Sequence, residues 1–320
     1  MKIKKILPLI GIILFLYLIY RIGLSNLIST IKNANLIYLI PGIIVTPLFI
    51  SVLALKWYTI LKIQGYDVKF LYIQKLYYIG GFYGFITPAR AGSLMRAYYL
   101  KQKTKKSLVE CASSIIVERI IDLFVILFFA FIGSLIFLKN FNINLIKVLT
   151  PAFVVFLFLI LTFLKKERGI FLLSLFYKIL LPKNIKDKAD TSLDTFYNKI
   201  PKIKYLILIF IMTLIAWIII YFQSYIFAKA FNVIVPFHIF VTFISIGTII
   251  ATLPISISGL GTRELTLITL FSLYNVRPEA IVSTSLVSFF VVGLIEGIVG
   301  LIFIYSEDKN EILDYNTISS

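Results

Sequence analysis

The sequence predicts an all-α polytopic integral membrane protein, with about six full transmembrane helices and two opposed re-entrant helical hairpins. Three observations carry this. Of 320 residues, 60% are hydrophobic and only 15% charged; the mean hydropathy is +0.97, far outside the soluble range. Six apolar runs approach the roughly 20 residues needed to cross the hydrocarbon core. Two further stretches are broken by Pro and Gly into arms of which the second, about 11 residues long, cannot cross alone.

In chain order, the spans are expected at 5–22, 36–55, 109–138, 147–164, 205–231 and 279–304, and the broken stretches at 70–100 and 237–275. MKIKK followed by apolar residues reads as a retained first helix, because no small-residue cleavage site follows. Lys2, Lys4 and Lys5 favour a cytoplasmic start. Two crossings return the chain to the cytoplasm at Lys56, Lys62 and Lys69, read as loop lysines. The cluster Lys101, Lys103, Lys105 and Lys106 stays on that side only if 70–100 is a hairpin entering and leaving from the cytoplasm. Two more crossings bring the basic loop of about 165–204 inside, with its amphipathic run GIFLLSLFYKILLP along the surface. The second hairpin then dips from outside. The last span returns the C-terminus, with 307–320 as a polar cytoplasmic tail and 1–306 as one transmembrane domain. Opposed hairpins suggest an inverted repeat, although the halves share little text beyond a proline, a glycine and an arginine at each break.

The net charge of +17 is explained by lysines in loops beside apolar spans, so nucleic acid is not an expected partner. One cysteine, Cys111, and one histidine, His238, leave little for disulfides, metal sites or a Ser-His-Asp triad, and no cofactor is implied. His238 reads as an interfacial residue, and Trp57 and Trp217 as belt or packing residues.

Irregular backbone at membrane depth is tolerated where it is buried in protein or lines a wet cavity, and one break per half points to a binding site between them. At the first break, Pro88 precedes a new helix whose N-terminus, with Arg90 and Gly92, suits an anion; Arg96 follows. At the second, Pro254 is followed by Ser258, Gly259, Gly261, Arg263 and Glu264, with glycines to let amides approach a ligand. Both read as phosphate or headgroup sites; the alternative is that Pro and Gly only kink helices and the arginines snorkel. Glu110, Ser114, Glu118 and Asp122 recur every four residues on one helix face, with Arg119 in reach of Asp122. They form either a helix–helix ion network or a proton-coupling path. Glu296, alone in SFFVVGLIEGIVGLIF, is expected to pair with Arg263 or Arg90, or to titrate.

The motifs PARAGS (88–93), VERIID (117–122) and PISISGLGTRE (254–264) resemble, in order, signatures of the lysylphosphatidylglycerol synthase transmembrane-region family, also called uncharacterised protein family 0104. The resemblance covers nearly the whole chain and implies a flippase-like domain. It carries over to Pro88, Gly92, Glu118, Arg119, Asp122, Pro254, Gly259, Gly261 and Glu264. The first motif departs from the usual P-G-x-x-G-E: Ala89 and Ser93 stand here, so a carboxylate is missing at 93. No room for the soluble synthase domain of some members is expected after Ser320, so aminoacyl transfer is not carried over.

The function expected is translocation of a phosphate-bearing lipid, phospholipid or polyprenyl phosphate, across the cell membrane. No GxxxxGK[ST] stretch supplies ATP energy. The alternatives are an intramembrane enzyme on a lipid-linked phosphate, and a scaffold presenting lipid to a separate lipid-modifying enzyme.

Overall fold

The computed structural model describes residues 15–85, 87, 92–137, 150–151, 153–155, 157–158, 162, 168, 194–252 and 259–318, with side chains to 306. Pro88, Arg90, Pro254 and Ser258 lie outside the described residues, as do more than half of the expected 147–164 span and most of the 165–204 loop.

After a helical segment at 15–22 comes a short amphipathic helix, α1 (Leu24–Lys32). Then follow α2 (Leu36–Ile63), α3 (Phe70–Phe85), α4 (Met95–Thr104), α5 (Leu108–Phe137), α6 (Ile203–Ala230), α7 (Phe237–Thr252), α8 (Thr262–Phe271) and α9 (Pro278–Ile318). Among the described residues, Leu36–Ile63, Ile203–Ala230 and Pro278–Ser306 are long and apolar enough to cross a membrane. The 30-residue α5 equals them in length. The molecule is an all-α membrane protein.

Local chemistry sets the helix ends. Asn35 caps α2, its side chain accepting from the Ile37 amide at 2.9 Å. Pro41 and Pro47 sit inside α2, where polar side chains engage the backbone near them: Ser51 donates to the Pro47 carbonyl at 2.9 Å and Gln223 of α6 to that of Gly42 at 3.2 Å. The α9 helix runs on to Ile318 through the expected tail, because no proline or glycine follows Gly300.

Both broken stretches are helical hairpins with arms side by side. In the first, Tyr72 near the start of α3 donates to the Tyr99 carbonyl in the middle of α4 at 3.1 Å, and the ammonium of Lys103 near the end of α4 lies 5.9 Å from the Tyr72 ring centroid. In the second, Phe240 and Phe243 of α7 meet Phe271 at the end of α8, with ring centroids 5.7 and 5.0 Å apart. Each chain therefore leaves its hairpin at the mouth where it came in.

The inverted repeat is explicit in the geometry. Helices α2, α3 and α4 have 28, 16 and 10 residues, and so do α6, α7 and α8. Every one of those boundaries is offset by 167 positions, and the starts of α5 and α9 by 170. Left-handed residues recur at the same offsets: Gly65 (φ 79°) and Asn232 (57°), Lys105 (56°) and Asn275 (55°). The α2 and α6 helices pack antiparallel, with the Asn35 amide on the Ala230 carbonyl at 2.9 Å, so the halves are inverted. Each hairpin docks on the other half, α3 against α9 and α7 against α5.

Candidate functional site

Between the hairpins lies a cavity of about 650 Å³. It runs from Ser93, Arg96 and Glu118 at the tip of hairpin one, past Arg119, Asp122 and Trp217, along hairpin two to Phe271, and mixes apolar side chains with further polar ones such as Gln223, Arg263 and Ser285. Its size falls within the roughly 300–1,000 Å³ of ordinary small-molecule sites.

One end is closed by a buried ion cluster. Lys56, with a fully buried side chain, donates to Asp122 Oδ1 at 2.6 Å and lies 3.4 Å from Glu118 Oε1. Arg96, 2% exposed, donates through Nη2 to Glu118 Oε2 at 2.9 Å and through Nε to the Ser93 carbonyl at 3.2 Å. Its guanidinium is stacked between Trp57 and Tyr77, at 4.6 and 4.5 Å from the ring centroids. Stacking fixes the plane of the fork. Nη1 of Arg96 is buried with no hydrogen-bond partner, which is costly for a charged group.

The acidic helix face of α5 is engaged along its length. Glu110 pairs with Lys199 at 3.2 Å, Ser114 accepts from the Trp57 indole at 3.0 Å, and Glu118 and Asp122 hold the cluster. The expected Arg119–Asp122 pairing is not formed. Asp122 takes Lys56 and the Trp217 indole (3.1 Å), while Arg119 donates through Nη2 to Ser93 Oγ at 2.7 Å. Arg119 is solvent-exposed on the cavity wall, with no carboxylate partner among the described residues.

At the tip of hairpin two, Glu264 is fully buried and accepts from Arg263 Nη2 at 2.8 Å, Ser285 Oγ at 2.6 Å and the Gly261 amide at 2.7 Å. It ties the tip to α9. Arg263 faces the cavity and lies over Phe289 at 5.7 Å. The repeat makes Arg263 the counterpart of Arg96, Gly259 that of Gly92, and Gln223 that of Lys56, each at the 167 offset. At the 170 offset, Ser288 answers Glu118. Gln223, Arg263 and Ser288 all line the cavity, so an ionic wall in one half corresponds to a mostly neutral wall in the other.

Several sequence expectations change. Lys56 is no loop lysine: α2 continues past it to Ile63, and it lies at the centre of the ion cluster. Trp57 and Trp217 touch the charged groups rather than form a belt. The Gly92 amide donates to Thr87 Oγ1 at 2.7 Å and that of Gly261 to Glu264, so both are spent inside the protein rather than left for a ligand. A side chain at Gly92 would strike the Tyr83 carbonyl, which is why glycine stands there. Glu296 is buried over Gly81 of α3; of its two expected partners, Arg263 takes its own neighbour Glu264, and Arg90 lies outside the described residues. His238 is exposed. The residues missed, Lys56, Trp57, Tyr77 and Ser285, had one visible signal: a lysine with apolar residues on both sides.

Two inverted helical halves around a charged internal cavity define a polytopic membrane protein with a built polar site at its centre. The chain belongs to the Lysylphosphatidylglycerol synthase TM region family, which it matches over residues 6–300. It is 26% identical over 320 residues to the UPF0104 membrane protein MJ1595 of Methanocaldococcus jannaschii, covering 94% of this chain and 95% of that protein. It is also similar to the UPF0104 membrane protein PH1989 of Pyrococcus horikoshii, 24% identical over 135 residues, or 41% of this chain and 40% of the other. The family expected from PARAGS, VERIID and PISISGLGTRE is the family found.

Proposed function

We propose that this protein moves a phosphate-bearing lipid between the leaflets of the cell membrane, with both termini on the cytoplasmic side and residues 1–306 acting as one unit. The carrying observation is the cavity wall: Arg119 without a carboxylate, beside Arg96 with an unpartnered Nη1, in a space large enough for a headgroup. Such positive excess along a cavity wall selects phosphate. The acyl tails stay in lipid while the headgroup crosses. Inverted halves offer two states, each opening on one side, through rocking of one hairpin against the other. Transport is downhill or ion-coupled.

An intramembrane enzyme is the weaker reading, because Glu118 and Glu264 are both engaged by cations rather than poised for acid–base work. A scaffold serving a separate lipid-modifying enzyme would not need charge lining an internal space.

The test is reconstitution of the purified protein into vesicles containing a headgroup-labelled anionic phospholipid, with a membrane-impermeant quencher added outside. The inner-leaflet pool should lose its protection faster than in empty vesicles. Rates no faster than in empty vesicles for every anionic headgroup tried would overturn the proposal, and conversion of the lipid to a new species would favour the enzyme. Arg263→Gln should slow exchange while the protein stays folded.

A further inference from the structure

We propose that the headgroup seat is the Arg119–Ser93–Arg96 cluster, and that it takes a net anionic headgroup bearing no amine while rejecting a cationic one. This rests on the reading that the cavity receives a lipid headgroup, and it goes further by fixing the sign of the cargo.

Among the described residues the clusters at the two hairpin tips hold four cations, Lys56, Arg96, Arg119 and Arg263, and three carboxylates, Glu118, Asp122 and Glu264, while a fourth carboxylate, Glu296, is buried against Gly81 and engaged apart from them. Both oxygens of Glu118 are taken, Oε2 by Arg96 and Oε1 by Lys56 and Tyr77. Both oxygens of Glu264 are taken as well, Oε1 by Arg263 and Ser285 and Oε2 by the Gly261 amide. Asp122 spends Oδ1 on Lys56 and Trp217. Its Oδ2 has no hydrogen bond among the described residues, and the charge behind it is already matched by Lys56.

The donors are the reverse. Arg119 spends one nitrogen on Ser93 Oγ, and Arg96 spends two, leaving its buried Nη1 unsatisfied. Because Ser93 accepts from Arg96 at its carbonyl and from Arg119 at its hydroxyl, the two guanidinium groups converge on one residue. A phosphate oxygen pair matches the free edge of the Arg119 fork, and Asp122 Oδ2 remains for a headgroup hydroxyl. An ammonium in the same place would face Arg119 with no free carboxylate charge to offset it, which in a partly dehydrated wall costs roughly tenfold or more in affinity. Ser93 decides the sign, since a carboxylate at this position would neutralise Arg119.

The chain carries its own reporters. It has two tryptophans; Trp57 stacks on Arg96, and Trp217 bonds Asp122. Purified full-length protein in detergent is titrated, with tryptophan emission as the readout, against dihexanoyl phosphatidic acid, dihexanoyl phosphatidylcholine, a dihexanoyl ethylphosphocholine of net positive charge, and inorganic phosphate. The anionic lipid should give a saturable change. The zwitterion should bind at least tenfold more weakly, and the cation and inorganic phosphate should give none. Ser93→Glu should weaken the anionic lipid at least tenfold and let the cationic one bind. If Ser93→Glu does not fold, Arg119→Gln serves instead and should abolish the preference for the anion. Equal response to anionic and cationic lipids, a response to inorganic phosphate alone, or an unchanged preference in these variants would overturn the inference. Selective binding without leaflet exchange would keep the seat and remove the translocase; exchange indifferent to headgroup would do the opposite.

Discussion

Lys56→Met removes the cation at the centre of the cluster. Its ammonium is fully buried and bridges Asp122 at 2.6 Å and Glu118 at 3.4 Å. Breaking a buried pair from one side costs about 3–5 kcal/mol, because a charge is left uncompensated. The lower end applies here. Glu118 retains Arg96, and Asp122 retains the Trp217 indole and has 17% of its side chain open to the cavity. At the 2–4 °C per kcal/mol of chains of 150–250 residues, about 3 kcal/mol lowers the melting temperature by roughly 6–12 °C, somewhat less in a longer chain. In the double variant Lys56→Met/Asp122→Asn both charges are gone, while the Asn oxygen still accepts from Trp217. Stability should return to within about 1 kcal/mol of wild type, since a neutral replacement of a buried pair is often neutral or better. Thermal unfolding in detergent, followed by tryptophan emission, measures all four corners of the cycle. A single variant as stable as wild type, or a double variant that loses the sum of the two singles, would refute the buried pair.

Arg96→Lys keeps the charge but loses the planar stack and the Nε bond to Ser93. Leaflet exchange should fall at least tenfold with a shift in Trp57 emission, and an unchanged rate would mean that any cation suffices there. Glu264→Gln places an amide N–H against the Gly261 N–H or gives up an Arg263 bond, and should cost about 2 kcal/mol in the same melt. Lys103→Cys and Asn275→Cys, each with the buried Cys111 changed to Ala, sit at the mouths of hairpins one and two. An impermeant thiol reagent should reach them from opposite membrane faces, and labelling from one face would contradict the inverted arrangement.

The hairpins were legible because an arm of about 11 residues cannot cross a bilayer and because Lys101–Lys106 had to share a side with the earlier loops. That Glu110, Ser114, Glu118 and Asp122 share one helix face was legible from their spacing. Their partners were not. Arg96 meets Glu118 across 22 positions and Lys56 meets Asp122 across 66, and helical periodicity predicts only neighbours three or four apart. Lys56 was misread because a lysine ending an apolar run looks like a loop residue, although Trp57, Ile60 and Leu61 beyond it were there to show the helix continuing inside the protein. The repeat escaped the text because its halves share few identities, Thr46/Thr213, Gly80/Gly247, Gly92/Gly259 and Arg96/Arg263 among them. It is written in element lengths and left-handed turns, which emerge only once the chain is folded.

The central claim is that lipid headgroups cross through the cavity and are held there by its unneutralised arginines. Leaflet exchange of a labelled anionic phospholipid, compared in vesicles holding wild type, Arg119→Gln or no protein, tests it most directly. The account predicts fast exchange with wild type and at least a tenfold slower rate with Arg119→Gln, whose melting temperature stays within a few degrees because Arg119 is exposed and carries a single hydrogen bond. Equal exchange by the variant and wild type would contradict it.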